Sequence, residues 1–274
     1  MGFRINGNKL ISYTGSDSSV VVPSNVRTIG DNAFDGWQGA LSNLKRVFLH
    51  NGITSIGQRA FSRCDGLTEI EIPERIIRLK LDMFFGCRSL SKVTLPSGLK
   101  KIDGHAFCYC SSLKEIVLPA GLTELGSGAF QGTDIEEIVL PDGIMEIKAN
   151  TFLSCKNLKT ISFSKNLTTI LSSAFLNCKS LTEVILPARV LKISEKVFDG
   201  CSNLERVVVP SGVSKIAKLT FGFCPKLTCV ELPDTVVEIS DEAFYGSNNV
   251  VIKAPAGSYA IEYAKENGIQ YEET

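Results

Sequence analysis

Residues 60–73 read AFSRCDGLTEIEIP. Phe61, Cys64, Leu67, Ile70 and Ile72 follow one another at spacings of three, three, three and two. That suits neither the period of a long helix nor the strict alternation of a long strand. The phrase returns as MFFGCRSLSKVTLP, AFCYCSSLKEIVLP, AFQGTDIEEIVLP, TFLSCKNLKTISFS, AFLNCKSLTEVILP, VFDGCSNLERVVVP and TFGFCPKLTCVELP. Its phenylalanines fall at 61, 84, 107, 130, 152, 175, 198, 221 and 244, so every step is 23 residues except the 22 from Phe130 to Phe152. Phe34 starts an earlier copy, and an inserted WQGALSN segment lengthens the step from Phe34 to Phe61 to 27. Ten Phe-bearing copies therefore cover most of the chain.

A unit of this size cannot bury its own apolar groups, but copies stacked side by side can. The alternating part of each copy (Glu69-Ile70-Glu71-Ile72, Glu137-Ile138-Val139-Leu140) predicts a short strand with its Ile and Leu turned inward. Pro73, Pro96, Pro119, Pro141, Pro187, Pro210 and Pro233 end these strands, where a missing N–H costs least. A turn containing Gly98, Gly121, Gly143 or Gly212 follows, read as a positive-φ position. The next apolar pair, for example Leu99/Ile102 or Val213/Ile216, predicts a second short strand, and a helical turn then carries Ala-Phe. Corresponding residues of successive copies stack as ladders of Phe, Cys, Leu and Ile.

The pattern A-F-x-x-C-x-x-L-x-x-I-x-L-P-x-x-(L/V/I)-x-x-I resembles the BspA-like leucine-rich repeats of bacterial surface proteins, from about Val21 to Gly257. Thr133 and Ser247 stand in the Cys slot, Ser164 and His50 in the Pro slot, and Met83, Thr151, Val197 and Thr220 in the Ala slot. The resemblance implies a β-rich, right-handed leucine-rich-repeat solenoid with two parallel sheets. It implies adhesion or protein binding at a cell surface or after secretion, and no catalytic residues.

Composition agrees with an elongated single domain of residues 1–274. Lys+Arg and Asp+Glu both total 29, so the basic footprint of a nucleic-acid binder is missing. No apolar run is long enough for a membrane span. The opening MGFRINGNKLISYTG lacks an apolar signal-peptide core, and residues 1–25 read instead as a degenerate capping repeat. Residues 26–257 hold the ten repeats. Residues 258–274 read as a helical cap, with Ser258 as N-cap, Tyr259 and Tyr263 four apart, and Gly268 as the stop.

Seven of the nine cysteines (Cys64, Cys87, Cys110, Cys155, Cys178, Cys201, Cys224) fall three residues after a Phe and form a column. Parallel side chains in such a column do not aim their sulfurs at one another, so free, buried thiols are expected rather than disulfides. Cys108 and Cys229 lie outside the column and should react first. The ladder of thiols favours a reducing setting. His105, Cys108 and Cys110 do not make the four convergent ligands that zinc takes. His50 and His105 sit at different repeat positions, and no nucleophile elbow or phosphate-binding loop is present. No catalytic residue, metal or cofactor is expected. Asn166-Leu-Thr168 is a formal glycosylation sequon, but Asn166 fills the glycine slot and reads as a left-handed turn residue.

The surface remains. Residues before the first inward position run Arg46, Glu69, Lys92 and Glu115, alternating in sign, which predicts cross-strand ion pairs. Phe48, Val117, Val139, Ile185 and Val208 should project outward from the strand face, with Glu115 and Glu137 beside the valines. β-Branched residues suit strands wherever they point, yet an exposed apolar strip is also how a protein-binding face looks. The expected function is non-catalytic binding of a protein or extracellular matrix ligand through this strip; the alternative is an intracellular (cytoplasmic) interaction scaffold.

Overall fold

The computed structural model describes residues 2–274. It is a β-solenoid of about 11 turns with parallel sheets and one C-terminal helix. Most turns contribute a three-residue strand to one face and a two-residue strand to a second. On the strand face, Ser19–Val21, Arg46–Phe48, Glu69–Glu71 and Lys92–Thr94 form one sheet, Glu137–Val139 and Thr160–Ser162 a second, and the strands from Glu183–Ile185 to Gln270–Glu273 a third. Neighbours pair in parallel and in register, as in Val184↔Val207 and Val207↔Val230. The register holds because a one-residue slip would turn every inward Ile and Val to solvent.

The phenylalanines fill the centre. All ten are buried, and successive rings from Phe34 to Phe244 stack nearly parallel with centroids 5.1–6.0 Å apart. A hairpin of Phe3–Asn6 and Lys9–Tyr13 continues this column at the N-terminal end, its Tyr13 ring 5.5 Å from that of Phe34. At the other end the helix Tyr259–Glu266 buries Ala260, Ile261, Tyr263 and Ala264, and Tyr263 Oη donates to the Ser240 carbonyl at 3.2 Å. The last segment, Gln270–Glu273, adds a further parallel strand beside Val251–Ala254, a feature the helical reading of 258–274 lacked. Ser258 occupies the N-cap position, but its hydroxyl makes no cap bond and is buried without a partner.

The turn carrying Ala-Phe forms a third face with its own ladder. The Phe N–H of each rung donates to the residue before the next Phe at 2.7–3.0 Å, from Phe34→Ala60 to Phe221→Ala243. Residues two before and two after Phe adopt positive φ, among them Arg59, Arg63, Asp82, His105, Tyr109 and Phe223. Alternate N–H groups of the turn (Asn32, Phe34 and Gly36, for example) donate to the next rung while the intervening ones close within the turn (Asp35 to the Asn32 carbonyl), and the inter-rung bonds offset the steric cost of the left-handed positions. The positive φ expected at Gly98, Gly121, Gly143, Gly212 and Asn166 does not occur. Close approach is what glycine serves there: a Cβ on Gly212 would lie 2.6 Å from the Val190 carbonyl oxygen, and one on Gly143 would collide with that of Leu122.

All seven column thiols are free and buried, and each donates to the Phe carbonyl of the preceding repeat, from Cys64→Phe34 at 2.8 Å to Cys224→Phe198 at 3.2 Å. Ser247 makes the same bond with oxygen at 2.6 Å. Thr133 instead turns back to its own Phe130 at 2.9 Å. Cys108 is also buried, contrary to the expectation that it would react early; only Cys229 is partly exposed.

Candidate interaction surface

The outward positions of the strand face lie where alternation places them. Val117 is 85% and Val139 67% exposed, and Phe48 and Ile185 are also exposed, whereas Val208 is half-buried. Ile185 and Val208 stand in register on neighbouring strands. Beside Val208, Arg206 bridges Glu183 and Glu231, the latter at 2.8 Å, which interrupts the apolar strip toward the C-terminus. Phe48 is separated from Val117 by Glu71 and Thr94; its partner in register is the exposed Val21, which holds the same repeat position and was legible as such.

Val117 and Val139 are neighbours, but residues 115–117 form no strand. The one inter-rung backbone bond there is Glu136 N–H to the Lys114 carbonyl at 3.0 Å. The inward residues of the rung before it record the same opening. Val93 and Leu95 are half-buried, while Ile70 and Ile72 one rung earlier are buried. A second interruption separates Thr160–Ser162 from Glu183–Ile185, with Ile161 and Phe163 half-buried at its edge. At the first opening a groove of about 690 Å³ runs between Lys92–Leu95 and Glu115–Val117.

Charge on this face is unevenly neutralised. Arg46 pairs with Glu69, and Lys159 with Glu136 at 2.6 Å. The expected continuation from Glu69 to Lys92 to Glu115 does not form among the described residues. Glu115 and Glu137 are exposed, and neither has an ion-pair partner among them. The strand-face strip therefore combines bare valines, two unpaired acids and an opening in the ladder. Exposed apolar residues also occur on the second sheet, at Ile77, Met145, Leu191 and Val237. They follow the first apolar residue of the second pair and are never on adjacent rungs, so they make no continuous patch.

This arrangement, a stack of single turns each contacting only its neighbours, is matched by the model of the BspA type leucine-rich repeat region over residues 6–132, 37–157 and 123–251. The chain belongs to the BspA-type leucine-rich repeat family. Among solved structures it is similar to a leucine-rich repeat protein from Bacteroides ovatus, with 25% identity over 94% of this chain and 84% of that one and a TM-score of 0.62. It is also similar to the pneumococcal vaccine antigen PcpA, with 20% identity over 96% and 80% and a TM-score of 0.52. A leucine rich cell surface protein from Faecalibacterium prausnitzii matches at 22% identity over 99% and 96%, with a TM-score of 0.48. A search of the curated proteins found no match. Among the described residues no helix is long and apolar enough to cross a membrane.

Proposed function

We propose that this BspA-type repeat protein is a non-catalytic binding module that engages a protein or extracellular matrix ligand at a cell surface, through the strand face around Val117 and Val139. The observation that carries the reading is the coincidence, at one place, of two highly exposed valines, two acids without partners and a groove in the sheet. Membership of a family named for a surface protein supports the location. A partner covering this patch would bury apolar area and supply cations to Glu115 and Glu137, and many weak contacts along the repeats would add up.

The test is binding of the intact chain to a panel of immobilised matrix proteins. Val117→Lys with Val139→Lys should weaken capture at least tenfold while circular dichroism and melting stay unchanged. Lys192→Glu, on the second sheet, should have no effect. Loss of binding in the Lys192 variant alone would place the site elsewhere.

An intracellular scaffold is the second reading, prompted by the free thiols. Their burial, however, shields them from oxidants in any compartment, so thiol content does not discriminate. Cell fractionation with antibody to the native protein decides between the two.

A further inference from the structure

We propose that a cleft on the turn face, beside the inserted segment of the first Phe-bearing repeat, binds a carboxylate-bearing sugar with Arg63 as its anchor. The insertion carries Trp37, the only tryptophan in the chain. The Arg63 guanidinium lies 3.9 Å from the centroid of the Trp37 ring and 5.8 Å from that of Phe85. Phe85 meets Tyr109 edge to face at 5.8 Å, so a row of three rings with the Arg63 guanidinium between the first two runs across four repeats. Trp37 and Tyr109 remain about half exposed.

Arg63 is held but not neutralised. Arg59 pairs with Asp82 at 3.0 Å, Arg78 with Asp103 at 2.8 Å, and Arg46 and Arg206 with glutamates. Arg63 has no acidic partner and no side-chain hydrogen bond among the described residues. Arg4, Arg75 and Arg88 also lack acids, but they project into solvent, whereas Arg63 is half-buried between rings. Stacking fixes the plane of the guanidinium and leaves the N–H donors at its edge open, a preorganised fork for a carboxylate.

A cavity of about 370 Å³ adjoins it, lined by Asn32, Asp35, Arg59, Ser62, Arg63, Asp82 and Phe85. The Ser62 hydroxyl lines this cavity and makes no hydrogen bond among the described residues, so it is open to a ligand. Asp35 and Asp82 set the charge of the ligand. Arg59 is paired with Asp82, so Arg63 is the uncommitted cation for a single negative charge, and Asp35 in the same lining disfavours a dianionic phosphate. The half-exposed rings of Trp37 and Tyr109, which flank the cavity rather than line it, offer apolar platforms for sugar rings, and Asn32, Ser62 and Arg59 in the cavity offer partners for hydroxyls. A monoanionic sugar meets all three demands. An acidic peptide would satisfy Arg63 but not the platforms.

Because Trp37 is the sole tryptophan, its fluorescence reports on this cleft alone. The full chain is titrated with N-acetylneuraminate, a glucuronate-containing disaccharide, a neutral glucose disaccharide and an acidic hexapeptide. A saturable change with one or both acidic sugars, absent with the neutral one, is expected. Arg63→Gln should weaken it about tenfold or more, as loss of a charge-assisted bidentate contact does. Ser62→Ala should weaken it less, and Arg189→Gln, a distant guanidinium, not at all. Unchanged melting shows that the Arg63 variant folds; if it does not, Ser62→Ala carries the test. No saturable change with either acidic sugar, equal response to the neutral one, binding of the peptide alone, or full affinity in the folded Arg63 variant (or, failing that, in Ser62→Ala) overturns the proposal.

Discussion

At the scale of a residue, the cysteine column has a reason that packing alone does not supply. In the turns of Phe61, Phe84, Phe152, Phe175 and Phe198 the Phe carbonyl already accepts the N–H of its own Cys three residues on, and the next rung's thiol reaches back to the same oxygen. Cysteine is the small apolar residue with a donor of the right length, and Ser247 shows that an oxygen donor also fits. Cys178→Ala should therefore cost about 2 kcal/mol by leaving the Phe152 carbonyl under-bonded, and Cys178→Ser about 1 kcal/mol or less. Chemical denaturation measures both, and a serine variant less stable than the alanine one contradicts the donor role. Burial also pushes the thiols of Cys108, Cys155 and Cys224 up to about 12, from an ordinary value of 9.0. Between those values the unfolded chain has lost protons that the native chain keeps. Stability should be level below about pH 9 and fall as pH rises toward 12, by up to about 1.4 kcal/mol per pH unit for each such thiol. Denaturation midpoints measured from pH 7 to 12 check the slope, and substituting these three thiols should make it shallower, the remainder coming from the other buried thiols. At pH 8 a thiol reagent should label Cys229 quickly and the other eight only after unfolding.

At the scale of an element, repeat spacing made the two strands, the Phe column and the inward residues readable, because a period repeated ten times averages away local ambiguity. Hydrogen-bond direction was not readable. The positive φ positions lie two residues either side of Phe and are filled by Arg, Tyr, Asn and Ser as well as glycine, so no residue type marks them. The glycines after Pro were read for conformational freedom when their task is clearance from the preceding turn. That difference is testable. Gly143→Ala should destabilise by about 1–3 kcal/mol, since the Leu122 carbonyl must move to admit a Cβ. Gly98→Ala meets nothing nearer than the Glu74 carbonyl oxygen at 3.9 Å and should be neutral or stabilise by up to about 1 kcal/mol. Equal melting shifts for the two would remove the distinction. The interruptions of the strand face were also invisible in sequence, because Glu115-Ile116-Val117 has the same alternation as its bonded neighbours. What separates them is the fit of successive turns, which no single copy encodes.

At the scale of the whole molecule, each turn touches only its neighbours, so stability is close to a sum of turn and interface contributions. The interfaces are unequal. Between the turns of Phe152 and Phe175 the strand face is bonded (Glu137–Val139 to Thr160–Ser162), the second sheet is bonded (Ile147↔Ile170), and the rings stack. Between the turns of Phe175 and Phe198 the strand-face bonds are missing, which leaves the second sheet (Ile170↔Ile193), the turn ladder and the ring stack at 5.5 Å. Phe175 therefore holds together an interface with one sheet already open. Phe175→Ala should cost about 3–5 kcal/mol, and the loss should fall on that interface rather than spread evenly. Unfolding should then split into two transitions, with hydrogen exchange rising around residues 160–200 and protection kept near Phe61 and Phe244. Phe34→Ala removes the same ring between turns whose strand face and second sheet are both bonded (Val20↔Val47, Ile29↔Ile56), and it should lower stability without splitting the transition. A single transition and uniform exchange in both variants would mean that the interruption of the strand face has no mechanical weight, and that the ring column alone couples the turns.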